Sequence, residues 1–145
     1  MDGAAHSQPE ISIEAMRGEL PSETESRLRE GLAACPDVAF AHLVRVELAN
    51  EGTGSQPSLF VWLVPEAVGS LRAALNLVSE TVARALPEEL FLDVLILNSV
   101  PELVSRVEEA GGLLVVRDPD ERRRAQEAAQ AGGKPEAPAR RRWFR

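Results

Sequence analysis

Two histidines, one cysteine and a few isolated acids are the side chains of this chain best suited to act as bases, nucleophiles or metal ligands. Nucleophilic catalysis needs a nucleophile, a base and a group that orients the base. His42 lies in an alternating apolar stretch. There it is either a general base or metal ligand, or a strand histidine hydrogen-bonded at the sheet surface or core edge. No Glu, Asp or Cys around it in sequence is placed to complete a site, which favours the strand histidine. His6 lies in a leader of small polar residues with nothing to hold its geometry. Cys35 stands beside Pro36 at an expected helix C-terminus, where the dipole raises a thiol pKa, so it reads as a small buried hydrophobe.

Among the acids, Asp93 is the most conspicuous, set in the apolar run Phe91-Leu92-Asp93-Val94-Leu95-Ile96-Leu97. A carboxylate there must be paired, hydrogen-bonded or at an edge. It is either a metal-binding or catalytic acid or the exposed first turn of the strand, and the second is favoured. Glu88-Glu89 and Glu108-Glu109 read as solvated turn or helix surface. Glu51-Gly52-Thr53-Gly54-Ser55 lies between two expected strands and lacks a following Lys-Ser or Lys-Thr, so it does not read as a phosphate loop. Ser70, at the opening of a helix, reads as a cap. No catalytic residue, cofactor site or metal site is assigned.

The elements that would position these side chains are those of one domain. The chain has 145 residues, 44% hydrophobic and 27% charged, which suits one soluble α+β domain. No apolar run approaches the length of a membrane span, and no secretory leader is expected from Met1-Asp2-Gly3. A single cysteine excludes an intramolecular disulfide. The net charge of −7 argues against a nucleic-acid surface spread over the domain. The charge is uneven: residues 1–117 hold eight arginines against eighteen acids, whereas residues 118–145 hold eight basic residues against five acids. Arginine makes up fifteen of the sixteen basic residues, a bias that suggests a bacterial source.

Ile11-Ser12-Ile13 alternates and suggests an edge strand. Pro21-Ser22-Glu23-Thr24-Glu25 opens a helix that carries Leu28 and Leu32 and stops before Pro36. From Val38 to Ala49 the chain alternates with a period of two, placing Val38, Phe40, His42, Val44, Val46 and Leu48 on one face. A polar loop over residues 50–57 leads into Ser58 to Val64, apolar on both faces. Leu71, Leu75, Val78, Val82 and Leu86 mark a helix stripe from about Ala67 to Leu86. Phe91 to Leu97 is a third strand, Val100 to Ala110 a helix stopped by Gly111-Gly112, and Leu113 to Val116 a fourth strand. Asp118-Pro119 opens a last helix whose body has no apolar face beyond alanine, so it is expected to be solvated.

The order predicts an α+β fold, a two-layer sandwich with a mixed sheet of about four strands and helices on one face. The organisation expected is a flexible leader with an edge strand over 1–19, a single domain over 20–118, a polar helix over 119–131 and a flexible basic tail over 132–145.

Six stretches carry a family likeness. The first helix ends at Cys35-Pro36-Asp37-Val38, before Ala39-Phe40-Ala41-His42-Leu43-Val44. Pro57-Ser58-Leu59-Phe60-Val61-Trp62-Leu63 follows, and then Leu71-Arg72-Ala73-Ala74-Leu75 with Ala85-Leu86-Pro87-Glu88-Glu89-Leu90 before Leu92-Asp93-Val94-Leu95-Ile96-Leu97. Over Leu20 to Asp118 this pattern of lengths and apolar spacing resembles the C-terminal domain of the SseB (enhanced serine sensitivity) family. The resemblance implies that family's fold and a non-enzymatic protein-interaction role. A weaker likeness joins the Asp93 strand to Pro101-Glu102-Leu103, Arg106-Val107, Gly111-Gly112-Leu113-Leu114 and Arg117-Asp118. It resembles the end of small nucleotidyltransferase domains, with Asp93 matching the third carboxylate. Their chemistry needs a Gly-Ser turn followed by Asp-x-Asp to hold the metal, and neither Gly54-Ser55 nor Gly69-Ser70 is so followed. The alternative this implies is a catalytically inactive remnant.

The last six residues, Arg140-Arg141-Arg142-Trp143-Phe144-Arg145, join four arginines to two of the six aromatics in the chain. They are either an end with no role, an end that folds back onto its own acidic domain, or a recognition element for an acidic protein surface, phosphates or an anionic membrane surface. The candidate partner-binding residues are therefore Phe60 and Trp62 on the sheet face together with Arg140, Arg141, Arg142, Trp143, Phe144 and Arg145. The partner expected is a protein or a second copy of the chain, in the cytoplasm, with no strong case for nucleic acid.

Overall fold

The computed structural model describes residues 11–18, 20–48 and 56–132. Strands β1 (Ile11–Glu14), β2 (Val38–Leu48), β3 (Gln56–Leu63), β4 (Asp93–Ile96) and β5 (Leu113–Val116) form one mixed sheet. Helices α1 (Ser22–Ala33), α2 (Pro65–Val68), α3 (Leu71–Ala85), α4 (Val104–Ala110) and α5 (Pro119–Gly132) pack on it, and two 3₁₀ turns, Leu97–Ser99 and Pro101–Leu103, link β4 to α4. The α+β class with a mixed sheet is as expected. The sheet has five strands rather than four, because Ile11–Glu14 pairs antiparallel with Arg45–Leu48.

The long β2 is the spine. Along one side it pairs antiparallel with β3, and β3 pairs parallel with β4, which ends the sheet there. Along its other side β1 and β5 lie in line, β1 at Arg45–Leu48 and β5 at Phe40–His42. A parallel pair needs a crossover, and α2 and α3 supply it between β3 and β4.

Side chains alternate across β3, and the alternation separates two cores. Leu59, Val61 and Leu63 join Leu28, Leu32, Val78 and Val82 from α1 and α3 on the first face. Phe60 and Trp62 join Val104, Val107, Ala125 and Ala129 from α4 and α5 on the second. The sheet is thus covered on both faces, which corrects the expectation of helices on one face only. The physical reason is the alanine stripe of α5: Ala125 and Ala129 are buried, and their small side chains let the helix backbone approach the sheet. The helix expected to be solvated is a layer of the fold, and Asp118 caps it by accepting from the Glu121 N–H at 3.1 Å.

Three boundaries differ from the sequence reading. The pairing of β2 shifts register between Val38 and Phe40, so Val38 belongs to the first core while Phe40 and Val44 belong to the second. Gly69 and Ser70 interrupt the expected single helix, giving α2 and α3; Ser70 holds the N-cap position of α3 without a side-chain capping bond. Strand β4 begins at Asp93, which leaves Phe91 outside the ladder.

Gly111 and Gly112 have separate reasons to be glycine. Gly111 ends α4 at φ 80, the left-handed region that a side chain disfavours. Gly112 lies against β2, its carbonyl accepting from the Leu43 N–H at 2.7 Å. A Cβ on Gly112 would stand 1.9 Å from the Leu43 carbonyl oxygen.

Candidate functional site

Beneath α4 and α5 lies the polar cluster nearest to a catalytic arrangement. The bulge in β2 puts His42 on the second face beside Phe40, whose ring meets it edge-on with centroids 5.6 Å apart. His42 is 1% exposed. Its Nε2 faces Glu108 Oε2 from α4 at 3.3 Å, which assigns the proton to Nε2 when the ring is neutral. Arg122 of α5 donates to both oxygens of Glu108, from Nε at 3.0 Å and from its terminal nitrogen at 2.6 Å. Glu108 is therefore not solvated helix surface, as the sequence reading had it: the fork geometry of Arg122 fixes it against the sheet.

The charges follow from this geometry. Burial lowers the His42 pKa below its ordinary value; the Glu108 charge and hydrogen bond oppose the shift without overcoming it. Burial alone would raise the Glu108 carboxyl, but the Arg122 hydrogen bond, aided by the Arg122 charge, draws it below the ordinary carboxylate value. The hydrogen bond to Glu108 raises Arg122 further. His42 is thus held neutral above a bidentate ion pair, and among the described residues its Nδ1 has no hydrogen-bond partner. A carboxylate-oriented histidine is the supporting half of a catalytic triad. Here the ring is sealed from solvent, so the cluster's work is to join β2, α4 and α5.

A second buried contact does the same for β3. Trp62 stacks on Phe40 with the rings 11° from parallel and centroids 6.1 Å apart. Its Nε1 donates to Glu121 Oε2 at 2.9 Å, and Glu121 is 6% exposed. Arg124 Nε donates to the other Glu121 oxygen at 3.0 Å. Phe60 is fully buried and Trp62 is nearly so. As candidate contact residues they are corrected: α4 and α5 cover the face they occupy, so neither is open to a partner. Residues Arg140, Arg141, Arg142, Trp143, Phe144 and Arg145 lie outside the described residues.

Among the described residues the strongest apolar exposure is elsewhere, at the β4 edge. Phe91 is 72% exposed, well above Val68, Leu71, Leu77 and Leu113, the other exposed large apolar side chains among them. It precedes β4, whose Val94, Leu95 and Ile96 are only half-buried. Among the described residues β4 pairs with β3 alone. Glu88, Glu89 and Asp93 are exposed around Phe91 in sequence. The exposed first turn of a strand was the favoured reading of Asp93, and that is its position. A cleft of about 540 Å³ also opens between α1 and α3, with Arg27 and Arg84 at its rim and the buried thiol of Cys35 in its lining. No group of three or more His, Cys, Asp or Glu side chains is placed to hold a metal among the described residues. Nor is any of their helices long and apolar enough to cross a membrane.

Sequence reasoning missed Glu108, Arg122 and Glu121 because their partners lie 66, 14 and 59 positions away. It also placed Phe91 in the strand. The adjacent Glu88-Glu89 pair was the available sign that this part of the chain borders solvent. No family model, curated protein or solved structure matches the chain.

Proposed function

We propose that the chain is a non-enzymatic protein-interaction module of the cytoplasm that receives an extended segment at the β4 edge. The observation that carries this reading is Phe91, 72% exposed at the foot of a strand paired on one side among the described residues. An open edge presents unpaired backbone groups to an incoming strand, and a large apolar side chain beside it adds a side-chain contact. Asp93, exposed at the start of the edge, discourages indiscriminate sheet-to-sheet pairing. The likeness of Leu20–Asp118 to the SseB C-terminal domain points in the same direction.

The test is site-specific photo-crosslinking in cells, with a benzoyl-phenylalanine at position 91 and, as control, at the exposed position Arg123 of α5. Position 91 is expected to yield defined protein adducts that Leu95→Pro removes. Equal labelling at the two positions would discard the β4 edge as the contact.

A further inference from the structure

We infer that α5 is a proton-operated cover: when the buried His42 ring takes up a proton, α5 leaves the second face of the sheet while the sheet, α1, α3 and α4 stay in place. Helices α1, α3 and α4 grip the sheet with Leu28 and Leu32, Val78 and Val82, and Val104 and Val107. The apolar side chains that α5 buries are Ala125 and Ala129, single methyl groups, and apolar attachment scales with the area buried. Its polar links among the described residues run through two carboxylates. Glu121 accepts from the Trp62 indole, and Glu108 of α4 accepts both Arg122 bonds. The chain enters α5 through a fixed point, the Arg117 and Asp118 amides donating to the Ala39 carbonyl at 2.7 and 3.1 Å. Helix α5 belongs to no ladder, so its release beyond that anchor breaks no strand pairing.

The surroundings of His42 supply the trigger. Glu108 from α4 and Arg122 from α5 are the charged groups that face the ring, while β3 and β5 place Phe60 and Leu113 opposite it in register. With Nε2 holding its proton toward Glu108, an incoming proton goes to Nδ1, which is buried and has no partner among the described residues. A charged ring beneath a seated α5 therefore holds a stranded N–H and repels Arg122. Withdrawing α5 admits water beneath it, removes Arg122 and leaves Glu108 to pair with the imidazolium. Glu108 thus exchanges one cation for another. A proton gained on opening raises the opening equilibrium by up to about tenfold per pH unit.

Native-state hydrogen exchange of the full chain, followed by NMR and corrected for the intrinsic pH dependence of exchange, tests this. A detached helix of this length does not hold its own hydrogen bonds. The Arg124–Ala129 amides and the Trp62 indole N–H are therefore expected to exchange as one group, about tenfold faster than the Leu59–Leu63 amides of β3 and with little response to low urea. From about pH 7.5 to about pH 5.5, exchange of that group should rise about tenfold in the native chain, and His42→Gln should remove the rise. Arg122→Gln, which leaves the ring in place, should speed it by about tenfold already at the higher pH, as loss of a charged hydrogen bond does. Equal protection of α5 and β3 would mean that α5 leaves only when the whole chain unfolds, and it overturns the inference. So does a full pH response in His42→Gln, or no response in the native chain.

Discussion

The side-chain amide of Asn98 pairs with both backbone groups of Leu63, accepting from the N–H at 2.7 Å and donating to the carbonyl at 3.2 Å. The parallel ladder of β3 and β4 ends at Val61 and Ile96, so Leu63 falls opposite Asn98 in register. By then the chain has turned into the 3₁₀ segment Leu97–Ser99, and the side chain replaces the backbone partner that Leu63 would otherwise lack. Leu63 is fully buried, so its polar groups have no ready alternative. Asn98→Ala should lower stability by about 1–3 kcal/mol, the cost of stranding buried backbone groups. Urea unfolding followed by circular dichroism reads this directly, and an unchanged midpoint would show that water takes the place of the amide.

The His42–Glu108 pair makes stability depend on pH in one direction. Both groups have folded-state pKa values below their ordinary ones. As pH falls through 6.5, the ordinary value for His42, the unfolded chain takes up a proton there before the folded chain does. The stability contributed by neutral His42 is full above that pH and is lost progressively below it. The Glu108 contribution is present above the ordinary carboxylate value and is lost as pH falls further. Thermal midpoints between pH 7.5 and 5 should therefore decline, and His42→Gln should flatten the upper part of that decline. A native chain with no slope in this interval would contradict the burial of His42 as described.

Gly112→Ala is expected to be among the most damaging single substitutions. Its Cβ would lie 1.9 Å from the Leu43 carbonyl oxygen, backbone that cannot yield without shifting β5 from β2. A loss of roughly 3 kcal/mol or more is expected, as for severe core overpacking. Gly111→Ala meets no neighbouring atom within 4 Å and answers only for its φ of 80, so a loss of about 1 kcal/mol should follow. Chemical denaturation of the two variants side by side checks the order.

Ala125 distinguishes a packed α5 from a solvated one. It is fully buried in the second core with Phe60 and Trp62. Ala125→Leu should destabilise the chain by about 1–3 kcal/mol by overpacking, whereas on a solvated helix leucine would be nearly neutral. Differential scanning calorimetry measures the effect, and a neutral result would detach α5 from the sheet.

Much of the architecture could be read from local pattern. The period-two run of β2 and the doubly apolar β3 predicted a spine and a strand buried on both sides. The second cover was missed because alanines at positions 125 and 129 are a faint apolar signal among arginines and glutamates. Val38 was assigned to the wrong face because a bulge is a one-residue event that alternation alone does not reveal. The His42 cluster was illegible for a different reason: Glu108 and Arg122 sit on helices whose inward faces are decided by packing, not by any spacing shared with His42. Phe91 was misplaced because apolar content continues past the point where pairing stops.

Strands β1 and β5 share one flank of β2, and both run antiparallel to it, so Glu14 opposite Arg45 is followed in space by Leu113 opposite His42. This flank is a splice between two segments almost a hundred residues apart in the chain. Arg106 of α4 holds the outer end of β1, away from the splice, by donating to the Ile11 carbonyl. A splice of this kind is a natural place to re-cut the polypeptide. Joining Glu14 to Leu113 by a short bridge, and residue 145 to residue 15 by a longer linker so that residue 112 becomes the new C-terminus, would give a rewired chain in which two half-strands become one. Its refolding rate, compared with that of the parent, would report how late the two halves meet.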